Sequence, residues 1–383
     1  MTPPSPTKLS RATKTFVNNS GLLVLGTAIA LVWANLDHAG YVAFSHYLHY
    51  PVNEIGMTFF FALAVKEVVE ATAPGGPLHS PRRGAMPLAA AVGGMLGPAL
   101  IFVVLTIVFD RPNLERGWAI PTATDIAFSY LAARIVFGQR HPVIPFLLLL
   151  AIADDALGLL IIAAFYPTGP VRLVEFAIFV GAGMMLAWWL NTRRTRSFWP
   201  YLIGAGALSW IGFHRGGLHT ALALVPIIPF FPHAARDPGL FVEAPDAHDT
   251  LNEFEHRFKP PVGAMLFFFG LANAGVAIGQ AGAGTWFVLV SIITGKPLGI
   301  LAATGISTAA GLRLPKEVGW NDVIVVGIIA SIGFTVALFF ATAAFPYGRL
   351  LDETKLGALL SFGAFFLAIA AARVLKVGRT ASK

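Results

Sequence analysis

Stretches of about 20 predominantly apolar residues recur along almost the whole chain, and this repetition leaves few folds open. A backbone segment in hydrocarbon must satisfy its own N–H and C=O groups, so each stretch reads as a helix that crosses a membrane. Such windows fall near 15–35, 54–72, 85–109, 118–137, 142–165, 171–190, 198–213, 217–232, 261–281, 285–307, 320–345 and 356–375. Composition agrees, since 56% of the 383 residues are hydrophobic and 12% charged, against roughly 25% charged in an ordinary soluble domain. The expected fold is an all-α polytopic membrane protein with about 12 transmembrane helices.

A net charge of +7 raises the question of nucleic acid. The basic residues, however, are scattered over short connections and form no face or aromatic-interleaved patch, so no nucleic-acid partner is expected. Membrane orientation accounts for them better. With a cytoplasmic N-terminus, the inside segments carry most of the lysines and arginines, among them Lys8, Arg11, Lys14, Arg82, Arg83, Arg193, Arg194, Arg196, Arg257 and Lys259. The outside segments carry only Arg111, Arg116, Arg172, Arg215, Arg349 and Lys355. This asymmetry is the positive-inside pattern and places both termini in the cytoplasm.

The expected organisation is a cytoplasmic tail over 1–14, a single transmembrane domain over 15–375 and a second cytoplasmic tail over 376–383. The first apolar stretch follows a basic leader but lacks a small-residue cleavage site, so it reads as a retained helix. The one long connection, 233–260, has an acidic middle (Glu243, Asp246, Asp249, Glu253, Glu255) and reads as an exposed cytoplasmic loop. Cysteine is absent, which excludes disulfides and thiolate metal sites.

Four ionisable residues sit where hydrocarbon should surround them: Asp125, the adjacent pair Asp154 and Asp155, and Lys296. A charge at the centre of a membrane helix costs about 2.5–3.5 kcal/mol on insertion scales, so such residues mark function or a buried ion pair. Neighbouring side chains on a helix point about 100° apart. Asp154 and Asp155 are therefore not expected to share one pocket wall; one would bind an ion while the other meets a partner. Apolar surroundings disfavour the charged form of a carboxylate or an ammonium, the condition under which such groups exchange protons near neutral pH. Carboxylates with the Thr124 hydroxyl form a hard ligand set, suited to a dehydrated alkali cation rather than to zinc or copper. No cofactor is expected, only membrane lipid and the transported cations and protons.

Two windows carry interruptions. Thr122-Ala123-Thr124-Asp125 follows Pro121 in the fourth, and Ser331-Ile332-Gly333-Phe334-Thr335 breaks the eleventh with small and hydroxyl residues. Interrupted segments in corresponding positions of two halves point to the binding site of an inverted-repeat transporter.

Five stretches, in order and spanning most of the chain, resemble the bacterial NhaA family of sodium/proton antiporters, itself a standard example of that architecture. They are 118–129 (Trp-Ala-Ile-Pro-Thr-Ala-Thr-Asp-Ile-Ala-Phe-Ser), 151–158 (Ala-Ile-Ala-Asp-Asp-Ala-Leu-Gly), 271–275 (Leu-Ala-Asn-Ala-Gly), 295–300 (Gly-Lys-Pro-Leu-Gly-Ile) and 331–335. The resemblance implies that the fourth and eleventh helices are broken, at Thr122 and Gly333, and cross near the midplane. Asp125 and Lys296 would offset the facing half-helix dipoles. Asp154 and Asp155 would hold sodium or protons with Thr124 nearby, and Lys296 would pair with Asp154. It further implies electrogenic exchange of cytoplasmic sodium or lithium for external protons, serving sodium and pH homeostasis, by a homodimer in the inner membrane.

Two departures touch the region that the family associates with pH response. Where the family carries an acid in Leu-Glu-Val-Lys-Arg-Glu, this chain reads Ala64-Val65-Lys66-Glu67-Val68-Val69-Glu70, with Lys66 at the aligned acid. Glu255 and His256 match, but the next family histidine is Lys259. Glu70, Glu255 and His256 remain candidates for a pH response. A potassium/proton exchanger or a sodium-coupled organic-anion symporter of the same general fold is the alternative function. An intramembrane aspartyl protease needs two acids converging on one water, and neither Asp125 nor Asp155 lies in the Tyr-Asp or Gly-x-Gly-Asp setting of such enzymes; the chain reads as no enzyme.

Overall fold

The computed structural model describes residues 21–378 apart from 139–140, 234–248, 316 and 346. The N-terminal tail 1–14, the start of the first window, most of 233–260 and the last residues of 376–383 lie outside the described residues. Every regular element among the described residues is helical.

In chain order the α-helices are α1 (Gly21–Leu36), α2 (His38–Tyr50), α3 (Met57–Thr72), α4 (Pro81–Val108), α5 (Ile126–Val136), α6 (Val143–Phe165), α7 (Leu173–Thr192) and α8 (Ala207–Gly216). They continue with α9 (Thr250–Asn273), α10 (Ala283–Val290), α11 (Lys296–Ala309), α12 (Trp320–Ala330), α13 (Phe334–Ala344), α14 (Arg349–Leu360) and α15 (Ala364–Val374). Among the described residues, five helical stretches are long and apolar enough to cross a membrane unbroken: Gly84–Val108, α6, α7, Ala283–Ala309 and Arg349–Val374. A sixth is the pair α12 and α13, bent by 49° at a short break.

Three expectations change. The 217–232 window is a run of tight turns, 3₁₀ at Thr220–Leu222 and Ile228–Phe230, and not an α-helix. Pro226, Pro229 and Pro232 explain this, because each removes an N–H that an α-helix would use. The stretch read as loop 233–260 ends early: α9 starts at Thr250, capped by the Asp249 carboxylate, which accepts from Asn252 N–H at 2.8 Å. Its first turns bury Leu251 and Phe254, so only part of that segment is loop. The third change is α2, an extra helix in a presumed connection. Asp37 caps it, and buried Tyr41 anchors it. The Tyr41 hydroxyl lies 3.0 Å from the Leu271 carbonyl and accepts from Gly275 N–H at 2.9 Å, serving backbone groups freed where α9 ends.

In a membrane the apolar faces of helices gain little by leaving lipid, so close packing at small residues holds helices together. Helices α4 and α11 show this. Gly93 and Gly97 of one meet Gly295 and Gly299 at the start of the other, and a Cβ on Gly97 would lie 2.1 Å from the Gly295 carbonyl. That approach is open only to glycine, and it fixes Lys296, the residue between those two glycines' turns, against the interior. A stretch of π-helix, Ser291–Gly295, leads into Lys296 and continues α10 into α11. Such π-turns recur at functional sites.

Candidate functional site

Both interrupted windows are broken where the sequence places the oddities. In the fourth, a 3₁₀ turn at Ile120–Thr122 gives way to extended backbone at Ala123, and α5 starts only after Asp125. Pro121 and the competing hydroxyls of Thr122 and Thr124 disfavour a continuous α-helix here. In the eleventh, residues 331–333 separate α12 from α13. Gly333 keeps a helical φ, so its role is close approach: a Cβ would lie 2.7 Å from Ile292 and 3.3 Å from the Ala123 carbonyl.

The two breaks satisfy each other's loose backbone groups, an obligation where no water reaches them. Asp125 N–H donates to the Ile332 carbonyl at 2.6 Å. The Thr124 hydroxyl donates to the Ala330 carbonyl at 3.0 Å, and the Ser129 hydroxyl to Ile329 at 3.1 Å. In return the Asp125 carboxylate accepts from Phe128 N–H at 3.2 Å, from Thr335 N–H at 3.2 Å and from the Thr335 hydroxyl. One buried carboxylate thus faces the N-terminal, electropositive ends of both α5 and α13. At the opposite polarity, Lys296 Nζ donates to the Thr122 carbonyl, at the C-terminal end of the short turn before the first break.

Lys296 is fully buried, and its ammonium also meets Asp154 Oδ2 at 2.9 Å. The other oxygen, Asp154 Oδ1, is buried with no hydrogen-bond partner. Asp154 and Asp155 both line one small cavity, with Thr122 and Gly158 beside them and apolar walls from α3, α6 and α13, including Phe61, Val336 and Phe340. Adjacent aspartates thus both reach one cavity, which spans the angle between their side chains. Among the described residues, no hydrogen bond or ion pair reaches the Asp155 carboxylate. A buried carboxylate oxygen without a partner is costly, and a cation or a proton would relieve that cost. Thr122 reaches the cavity, whereas the Thr124 hydroxyl is committed to Ala330.

Comparison with known proteins identifies the setting. The profile of the Na+/H+ antiporter 1 family matches residues 11–375. The chain belongs to that family. The "Na(+)/H(+) antiporter NhaA" of Geobacter sulfurreducens is 46% identical over 367 residues, covering 93% of this chain and 96% of that protein. The protein of the same name from Desulfitobacterium hafniense is 45% identical over 365 residues, covering 93% and 94%. That from Jannaschia sp. is 42% identical over 411 residues, covering 94% and 97%. As a member of an antiporter family, the chain is a transporter.

The remaining candidates lie at the junction of α3 and α9, away from the breaks. Lys66 is buried and meets Glu70 and Glu255 at 2.5 Å each, with Glu67 at 4.0 Å. Lys259 adds a second bond to Glu255 at 2.8 Å. Glu255 lies ahead of the apolar part of α9. Burial alone would push its carboxyl up, but the Lys66 and Lys259 ammonium groups outweigh burial and hold it below the usual value. His256 is exposed and stands outside these pairs.

Reading the sequence missed two residues that hold the breaks together. Thr335 stands in the 331–335 motif with no signal of its own, yet its hydroxyl and amide bind Asp125. Ser361 went unremarked, and its hydroxyl reaches the second break. Serine is common in membrane helices and carried no signal there.

Proposed function

We propose that this chain exchanges sodium or lithium ions for protons across a bacterial inner membrane, through the cavity lined by Asp154 and Asp155. The observation that carries the reading is a pair of acidic side chains lining one cavity, with one oxygen of Asp154 engaged by Lys296 and, among the described residues, no hydrogen bond or ion pair to its other oxygen or to Asp155. Membership of an Na+/H+ antiporter family supports the same reaction. Carboxylates that bind either a sodium ion or a proton make the two compete for one place, and competition is sufficient for exchange.

In this reading a sodium ion binds Asp154 and Asp155 with help from backbone oxygen near Thr122, and Lys296 releases Asp154 as it does so. Protons returning to the acids, and to the Asp154–Lys296 pair, expel the ion on the other side. Asp125 and Lys296 meanwhile neutralise the half-helix ends that the breaks expose. More protons than sodium ions move per cycle, so exchange is electrogenic and serves sodium and pH homeostasis. The finer topology belongs to the same proposal: about twelve spans, both termini cytoplasmic, one transporter domain over 15–375, and a homodimer.

Flux measured in proteoliposomes with sodium, lithium and potassium side by side tests this. Sodium- or lithium-driven proton movement that potassium does not elicit is expected. Equal response to potassium would favour a potassium/proton exchanger. Sodium uptake that requires an organic anion would favour symport, which the small acidic cavity argues against.

A further inference from the structure

We propose that Ser361 is a positioning residue for ion exchange, holding the start of α13 in place from the last membrane span. Three successive N–H groups, of Gly333, Phe334 and Thr335, form the electropositive end of α13. Asp125 takes the third. The first two converge on Ser361 Oγ, at 3.2 Å from Gly333 and 3.3 Å from Phe334.

Ser361 is fully buried, in the 3₁₀ turn Ser361–Gly363 between α14 and α15. Its own hydroxyl proton is committed to the Ala358 carbonyl at 2.6 Å, which leaves the oxygen as an acceptor aimed at the two amides. A 3₁₀ turn within the last span thus serves the break in the eleventh window. The consequence reaches the cavity, because α13 supplies Val336 and Phe340 to its wall and Thr335 to Asp125. The shape of the turn does not depend on the hydroxyl alone. Phe128, Phe334 and Phe362 pack as three mutually edge-on or tilted rings around it, at centroid distances of 5.4, 5.3 and 5.6 Å. Removing Oγ therefore leaves the ring packing but strips two amides at the start of α13 of their acceptor, loosening the helix that carries Thr335 to Asp125 and Val336 and Phe340 to the cavity wall.

The inference rests on sodium/proton exchange at the Asp154–Asp155 cavity, and wild-type vesicles assayed alongside report on that reading. At alkaline pH, where protons compete least, Ser361→Ala is expected to raise the apparent KM for sodium about three- to tenfold, the factor matching one hydrogen bond's net worth. Turnover at saturating sodium should stay within about twofold, as befits lost binding rather than lost chemistry. Ser361→Thr keeps the hydroxyl and should restore the wild-type KM. A wild-type KM in Ser361→Ala, or a Ser361→Thr as impaired as the alanine variant, would overturn the assignment. Should alanine fail to reach the membrane, Ser361→Cys, with its weak acceptor, carries the test: a raised KM supports the role and an unmoved one overturns it. No sodium-dependent flux in wild type would instead end the exchange reading itself.

Discussion

Among the described residues, two buried lysines form ion pairs with carboxylates, and they are used differently. Lys296 meets one oxygen of Asp154 and a backbone carbonyl, leaving Asp154 Oδ1 and all of Asp155 without a hydrogen bond or ion pair among the described residues. Lys66 meets two glutamates at close range with a third nearby, and Lys259 adds a further bond to Glu255. The first cluster is short of partners, whereas in the second each glutamate lies within ion-pairing distance of a lysine. An under-satisfied acidic site in a low-dielectric interior gains by taking up a cation or proton, whereas a paired cluster gains nothing and resists change. The contrast is the ground on which we propose exchange at the cavity and a structural tie between α3 and α9 at the other lysine.

The sharpest way to break this comparison is Asp155→Asn, which keeps shape but loses charge and proton. It should abolish sodium-dependent exchange while the protein still inserts, and Asp154→Asn should impair exchange severely. Near wild-type flux in Asp155→Asn vesicles would refute the cavity as the site. Next comes Lys296→Arg, because a guanidinium stays charged at every relevant pH. Transport that survives but turns electroneutral would make Lys296 a proton carrier; transport that stays electrogenic would make it a fixed charge.

Smaller effects belong to the paired cluster. Lys66→Met should cost about 1–3 kcal/mol of stability, the penalty of removing the buried ammonium that Glu70 and Glu255 both meet, with turnover little changed; a large loss of turnover in well-inserted protein would show that the cluster takes part in the cycle. The Glu255 carboxyl is held low in the folded protein, so its contribution to stability is present above the ordinary carboxyl value and is lost as pH falls through the lowered one. Thermal unfolding followed as pH falls below the ordinary carboxyl value of 4.5 should therefore show this loss in wild type and much less of it in Lys66→Met. The smallest effect is expected for His256→Ala, an exposed residue outside the ion pairs: the activity profile should move by less than about one pH unit. A larger displacement that persists at saturating sodium would reveal a dedicated sensor at this end.

Apolar length and the misplaced charges were decisive in the sequence because both follow from local chemistry. A 20-residue apolar run has one outcome in hydrocarbon, and Asp125, Asp154, Asp155 and Lys296 stand out against such runs whatever they touch. Pro121 and the Ser331–Thr335 hydroxyls likewise announced two breaks. Local chemistry was misleading at 217–232, where hydropathy looked helical and closely spaced prolines imposed turns, and at 250–260, where polar residues looked like loop but a capped helix buries one face.

The sequence by itself thus determined the class of protein, the broken segments and the ionisable residues at stake. Tertiary structure alone decided that Asp154 Oδ1 is left without a hydrogen-bond partner, that Thr124 is occupied by Ala330 while Thr122 reaches the cavity, and that Ser361 serves a helix end 28 residues away. The physical reason is that hydrogen-bond partners in a membrane interior are chosen by which backbone ends the packing brings together. Close approach at Gly93, Gly97, Gly295 and Gly299, and at Gly333 against Ala123, sets those meetings, and neither residue type nor spacing along the chain encodes them.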